Sequence, residues 1–155
     1  MAFGFSRKNN NTKKELSLAE RSLKVATVLQ IPAGSDLEKQ VAMIELTEAD
    51  LAIAKVLHPY VQEEVLDIVD GFYKKLANVP ELNKIINDNS SFDRLEKTLN
   101  RHIIEMFSGE IDESFIEKRK IIATMHVKIG LTQKWYIASF QEIYKGLTNM
   151  LNTYF

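Results

Sequence analysis

From residue 37 to residue 154, apolar side chains recur every three or four positions, which is the spacing of one helix face after another. Residues 37–46 carry Leu37, Val41 and Ile44 on one side. Thr47 and Asp50 have the spacing of a capping box that opens the next helix. Pro59 disfavours helical geometry in its predecessor, so that helix is expected to end or kink at His58. Pro59 suits the first turn of a second helix, 60–77, which buries Val61, Val65, Ile68 or Val69, Phe72 and Leu76. Pro80 closes a linker before a short helix at 81–86. Ser90 or Ser91 caps a helix over 92–108 with Phe92, Leu95, Leu99, Ile103 and Met106 turned inward, and Gly109 stops it. Asp112 caps the next helix and Gly130 ends it. Thr132 opens the last helix, with Tyr136, Phe140, Ile143 or Tyr144, Leu147, Met150 or Leu151 and Tyr154 in register.

Before residue 36 the pattern fades. Residues 1–35 read as an N-terminal extension, and Asn9, Asn10, Asn11 and nearby lysines favour disorder at its start. Residues 24–31 fit a short strand or a helical turn. Pro32, Gly34 and Ser35 mark a break, and Ser35 or Asp36 caps the helix that begins the periodic region. No strand pair and no internal repeat stands out. The class is all-α, and periodicity alone does not separate a bundle from a globin.

The totals narrow the chemistry. The chain has 155 residues, one domain's worth. Its 20 Lys+Arg nearly cancel its 21 Asp+Glu, so no basic excess invites nucleic acid. With no Cys there is no thiol nucleophile, no thiolate zinc site and no covalent haem attachment. HExxH, GxSxG and Gly-rich phosphate loops are missing as well. No apolar run is long enough for a membrane span. The charged start (Arg7, Lys8, Lys13, Lys14) lacks the apolar stretch of a secretory signal, so a cytoplasmic location is expected.

Against that background one residue stands out. Phe115, Ile122, His126 and Ile129 are 7, 4 and 3 apart and share a helix face that ends at Gly130. That face is apolar but for an imidazole, and a neutral imidazole on an oily face suits an axial haem ligand. It equally suits a hydrogen-bonded core residue. Three further features fit a site: Phe72 with Tyr73 on one helix; Leu95, Thr98 and His102 on one face of another; and Trp135 with Tyr136 soon after His126.

Taken together, the segments DGFYKKL (70–76), IIND (85–88), DRLEKTLNRHIIEMF (93–107), FIEKR (115–119), HVKIGL (126–131) and KWY (134–136) resemble the globin-coupled sensors. The likeness is strongest to the sensor domain of bacterial haem-based aerotaxis transducers and runs over residues 36–155. It implies a globin-like fold without the family's final helix, since the chain stops at Phe155. It implies non-covalent haem b with His126 as the proximal iron ligand. Tyr73, Thr98 and Leu95 match distal residues that touch or screen bound gas, and Tyr136 matches a proximal-side tyrosine. By helical phase, Phe72, Val69, Met106 and Ile122 are haem-wall candidates. The implied ligand is dioxygen, with carbon monoxide or nitric oxide as further ligands. The implied activity is gas sensing by conformational change, as in aerotaxis, without enzymatic turnover. The implied assembly is a homodimer through the C-terminal helix region, with a signalling module in full-length relatives.

Three other readings remain open. One is a haem-free globin-like interaction or regulatory module with His126 in its core. Another is a haem peroxidase or dioxygenase, for which no charged acid–base pair is evident near Leu95 and Thr98. In the last, His102 closes the sixth iron position.

Overall fold

In a computed structural model describing residues 16–155, the chain runs α1 (Leu18–Ser22), β1 (Val28–Leu29), α2 (Asp36–Met43), α3 (Glu48–Ala77), α4 (Pro80–Asn89), α5 (Phe92–Met106), β2 (Glu110–Ile111), α6 (Glu113–Lys128) and α7 (Gln133–Tyr154). Side chains of Ser17, Ser35, Thr47, Ser91 and Asp112 accept backbone amides at five helix starts. Pro80 opens α4 instead of closing a linker. The disorder expected around Asn9–Asn11 lies outside the described residues.

The break expected at His58 does not occur. Residues 48–77 form one helix with Pro59 inside it. An interior proline costs about 3 kcal/mol through its missing N–H and its clash with the previous turn. Burial outweighs that here, because apolar residues lie on both sides of the proline: Leu51, Ala52, Val56 and Leu57 before it, Val61, Val65 and Val69 after it. Fully burying one such side chain stabilises by about 1.5–3 kcal/mol.

The second difference is a strand pair. Val28–Leu29 pairs in parallel with Glu110–Ile111. Two-residue strands are too short to show an alternating pattern, and the partners lie far apart in sequence. Gly109 lets the chain turn into this pair. Its φ is +76°, and a Cβ there would come within 2.8 Å of the Lys55 Cβ. Lys55 then closes the corner, donating to the Ala26 carbonyl (2.9 Å) and pairing with Glu110 (3.3 Å). Arg21 of α1 donates to the Tyr60 hydroxyl at 2.8 Å. The segment from residue 16 to 30 is thus attached to α3 and to the α5–α6 connection.

The core lies between α3, α5 and the C-terminal half of α7, around Val61, Val65, Val69, Ile103 and Met150. Gly146 lets α7 approach α3 closely, since a Cβ there would meet Ile68 at 2.8 Å. The expected stripe on α5 is corrected at its end: Met106 is 42% exposed, and Phe107 packs on the core instead. The step from Ile103 to Phe107 is four residues, which keeps closer to the face already set by Leu95, Leu99 and Ile103. On α7, Ile143, Leu147, Met150, Leu151 and Tyr154 pack inward, whereas Tyr136, Phe140 and Tyr144 are 51%, 56% and 56% exposed. Likewise α2 ends at Met43, leaving Ile44 exposed and Glu45 in left-handed geometry (φ 55°).

Candidate functional site

The last turn of α6 sets the position of His126. Gly130 adopts φ +73°, its amide donates to the Val127 carbonyl (3.0 Å), and the Leu131 amide donates to the His126 carbonyl (3.0 Å). This Schellman closure fixes the backbone at His126 and turns the chain into α7. The return brings Tyr136 beside His126, with ring centroids 5.5 Å apart and an edge-on interplanar angle of 67°.

The two rings border a cavity of about 380 Å³, which is within the range of ligand sites. Helix α5 contributes His102, and α6 contributes Arg119, Ile122, Ala123, His126 and Val127. Leu131, Gln133 and Tyr136 complete the wall. The lining is apolar except for two imidazoles, one guanidinium, an amide and a phenol.

Burial pushes the His126 pKa down. A histidine in the last turn of a helix would ordinarily be favoured as a cation by the helix dipole. Desolvation opposes that here and favours the neutral ring. His102 is driven lower, to about 4, first by burial and then by the Arg119 cation. The Nδ1 atoms of both rings are buried without a hydrogen-bond partner. Each ring therefore carries a nitrogen that no protein group satisfies.

Arg119 ties the two helices together. It pairs with Glu105 (2.9 Å), donates to the His102 carbonyl (3.3 Å) and lies 3.8 Å over the Phe115 ring. Lys118 also holds Glu105 (3.0 Å). These cations, Lys118 first, keep the Glu105 carboxyl below its ordinary range against the opposing effect of burial. Arg119 is the charged site residue that sequence reasoning missed, alongside the cavity-wall residues Ala123, Val127, Leu131 and Gln133. It stands seven residues before His126, so the face taken as apolar but for one imidazole also carries a guanidinium. The spacing was the available signal.

The remaining candidates sit elsewhere. Tyr73 is buried against Phe72 (centroids 5.0 Å) and Phe92 (6.1 Å), with Leu95 half-buried in the same core. Burial, with Glu96 adding, pushes the Tyr73 phenol up, so it keeps its proton and can donate. Thr98 is exposed, and its hydroxyl donates to the Arg94 carbonyl at 2.9 Å. Val69 is fully enclosed. Phe72 borders a second cavity of about 310 Å³ between α3 and α7. The fold thus gathers His126, Ile122 and Tyr136 with His102 and Arg119. It keeps Tyr73, Leu95, Phe72 and Val69 in the neighbouring core, and Met106 and Thr98 outside the cavity wall.

An all-α chain of seven helices among the described residues, with a histidine closing the sixth against a cavity, has the globin fold. The chain belongs to the protoglobin family, whose model, described as Protoglobin, matches residues 34–155. A solved structure with this fold is the globin domain of the Geobacter sulfurreducens globin-coupled sensor. It matches with a TM-score of 0.71 at 19% identity, over 77% of this chain and 78% of that one. The resemblance drawn from the motifs is met at the level of family and fold. No described helix is long and apolar enough to cross a membrane.

The residues at the cavity fit a haem group. An imidazole that burial favours as neutral, with a ring nitrogen left without a partner and with apolar side chains and an aromatic ring beside it, suits an axial haem ligand.

Proposed function

We propose that this chain is a haem-based gas-sensing domain that binds dioxygen reversibly and does not turn it over, with a signalling role such as aerotaxis and a cytoplasmic location. His126 is the residue that would hold the iron of non-covalent haem b. The observation that carries the reading is its neutral, partly buried imidazole on the cavity wall, clamped by the Gly130 turn.

When bound, haem supplies an iron with a coordination site open to a diatomic gas. The protein's own groups do the rest. Tyr136 braces the His126 ring edge-on and limits its rotation. Ile122, Ala123 and Leu131 would offer apolar contacts to a bound porphyrin. Tyr73 and Thr98 carry the hydroxyls that the resemblance assigns to a polarised ligand, and each would have to move from its present place, in the core or on the Arg94 carbonyl, to reach one. A hydrogen bond to a charged group contributes about 1.5–3 kcal/mol. Thr98 must first leave the Arg94 carbonyl, whereas Tyr73 carries a retained proton. A shift of His126 is passed to α7 through the short 129–132 connection, and the exposed aromatic residues of α7 suit a homodimer partner.

The test is reconstitution. The chain titrated with haem should give one Soret-absorbing equivalent, whose reduced spectrum changes with dioxygen and with carbon monoxide. His126→Ala should lower haem affinity at least tenfold, about 1.4 kcal/mol, while the haem-free fold persists by circular dichroism. Equal haem retention in the same ligand field by the variant would overturn the reading.

A further inference from the structure

We propose that residues 16–30 act as a strap that couples the start of α6 to the last turn of α7, so that release at either end loosens the other. The inference stands on contacts within the chain and is independent of the haem reading above.

One end of the strap meets α3 and α7 at Tyr60. Arg21 of α1 donates to the Tyr60 hydroxyl at 2.8 Å, and its guanidinium carbon lies 5.5 Å from the centre of the same ring. That ring also meets Tyr154 edge-on, with centroids 4.8 Å apart, and Phe155 at 5.3 Å. The Tyr154 hydroxyl donates to Glu64, one turn further along α3, at 2.9 Å. The bond to Glu64 pushes the Tyr154 phenol up to about 12, so the proton that makes it stays in place at neutral pH. Arg21, Tyr60, Glu64 and Tyr154 are all half-buried. Both hydrogen bonds have a charged partner, which makes them the stronger kind.

The other end of the strap reaches α6. The Val28 amide donates to the Gly109 carbonyl (3.1 Å) and the Gln30 amide to the Ile111 carbonyl (2.7 Å). Ile111 leads directly into Asp112, whose carboxylate accepts the Phe115 amide (2.8 Å) and caps α6. Lys55 of α3 holds both partners at this end, the Ala26 carbonyl of the strap and the Glu110 carboxylate of β2. The stretch between the two ends is itself ordered. The Lys24 amide donates to the Arg21 carbonyl (3.1 Å) and the Val25 amide to the Ser22 carbonyl (3.4 Å), so a displacement is carried along the chain. Helix α6 thus begins, and α7 ends, on the same strap, while the Gly130 turn joins their other ends. No residue of α6 is fully buried, so its anchorage depends on these terminal contacts more than on the core.

Residue-resolved hydrogen exchange of the full chain tests this, because a coupling between two ends must act in both directions. Arg21→Ala removes the donor at one end. Tyr154→Phe removes only the hydroxyl on Glu64 at the other and keeps the ring. Arg21→Ala should speed exchange at the Leu151 and Tyr154 amides, and Tyr154→Phe should speed it at the Gln30 and Phe115 amides. Each change should be about tenfold, the effect of one lost hydrogen bond to a charged group on a local opening equilibrium. The amides of α5 should keep the parent rate in both variants. Effects confined to α1 in the first variant and to α7 in the second would overturn the coupling. Equal acceleration through α5 would overturn it too, since that is a loss of global stability and not the release of a strap.

Discussion

The inner faces of α5 and α6 carry similar residue types at the same helical spacing, yet they are buried very differently. On α5, Ile103 is 1% exposed against the fully enclosed Val61, Val65 and Val69 of α3. On α6 no residue is fully buried, and Phe115, Ile122, His126 and Ile129 of its inner face are only half-buried. One helix completes the core and the other forms the wall of a cavity. Stability should therefore concentrate in the α3–α5 pair, with α6 the easier of the two to displace. Ligand-binding elements are drawn from the least stable parts of a fold, because they must open.

Truncations should break this contrast most sharply. Ile103→Ala removes atoms from the tightest part of the core and should cost about 2–5 kcal/mol. Ile122→Ala, at the cavity wall, should cost the haem-free protein less than about 1 kcal/mol. Denaturant midpoints of the two variants measure the difference, and equal losses would abolish the distinction between core and wall.

Acid should separate the regions next. The His102 and His126 values in the folded chain lie below the ordinary 6.5, so between 6.5 and about 4 the unfolded chain binds more protons. Stability then falls as pH falls through that window. Glu105 acts in the same direction lower down. Its folded value is depressed below 4.5, so its contribution is full above 4.5 and is lost as pH falls through the folded value. Unfolding free energy measured against pH should decline from neutral pH towards 4. His102→Gln should flatten the upper part of that decline, and an unchanged profile would remove His102 from the account.

The smallest effect belongs to the tie between the regions. Glu105→Gln loosens the contacts to Lys118 and Arg119, both partly solvated, and should cost below about 1 kcal/mol. Its larger signature should be faster amide exchange in α6 than in α3. Uniform acceleration across both helices would show that the tie serves the whole fold and not the wall.

Local chemistry fixes much of this molecule without tertiary help. The capping side chains of Ser35, Thr47, Ser91 and Asp112 and the glycines at 109 and 130 set helix boundaries through bonds within a turn, so they are legible in the sequence. The face that places His126 with Ile122 follows from helical phase alone, and the motif order from residue 70 to 136 points to the family. Other features depend on what packs against what. Pro59 stays inside a helix because both halves of α3 bury apolar surface, which outweighs a local penalty. The β1–β2 pair joins segments far apart in the chain through two-residue strands. Whether Tyr136, Phe140 and Tyr144 face core or solvent depends on the neighbour and not on their spacing. The union of His102, Arg119 and His126 at one cavity is decided the same way: each helix carries its own side chains, and only the contact between helices makes them a site.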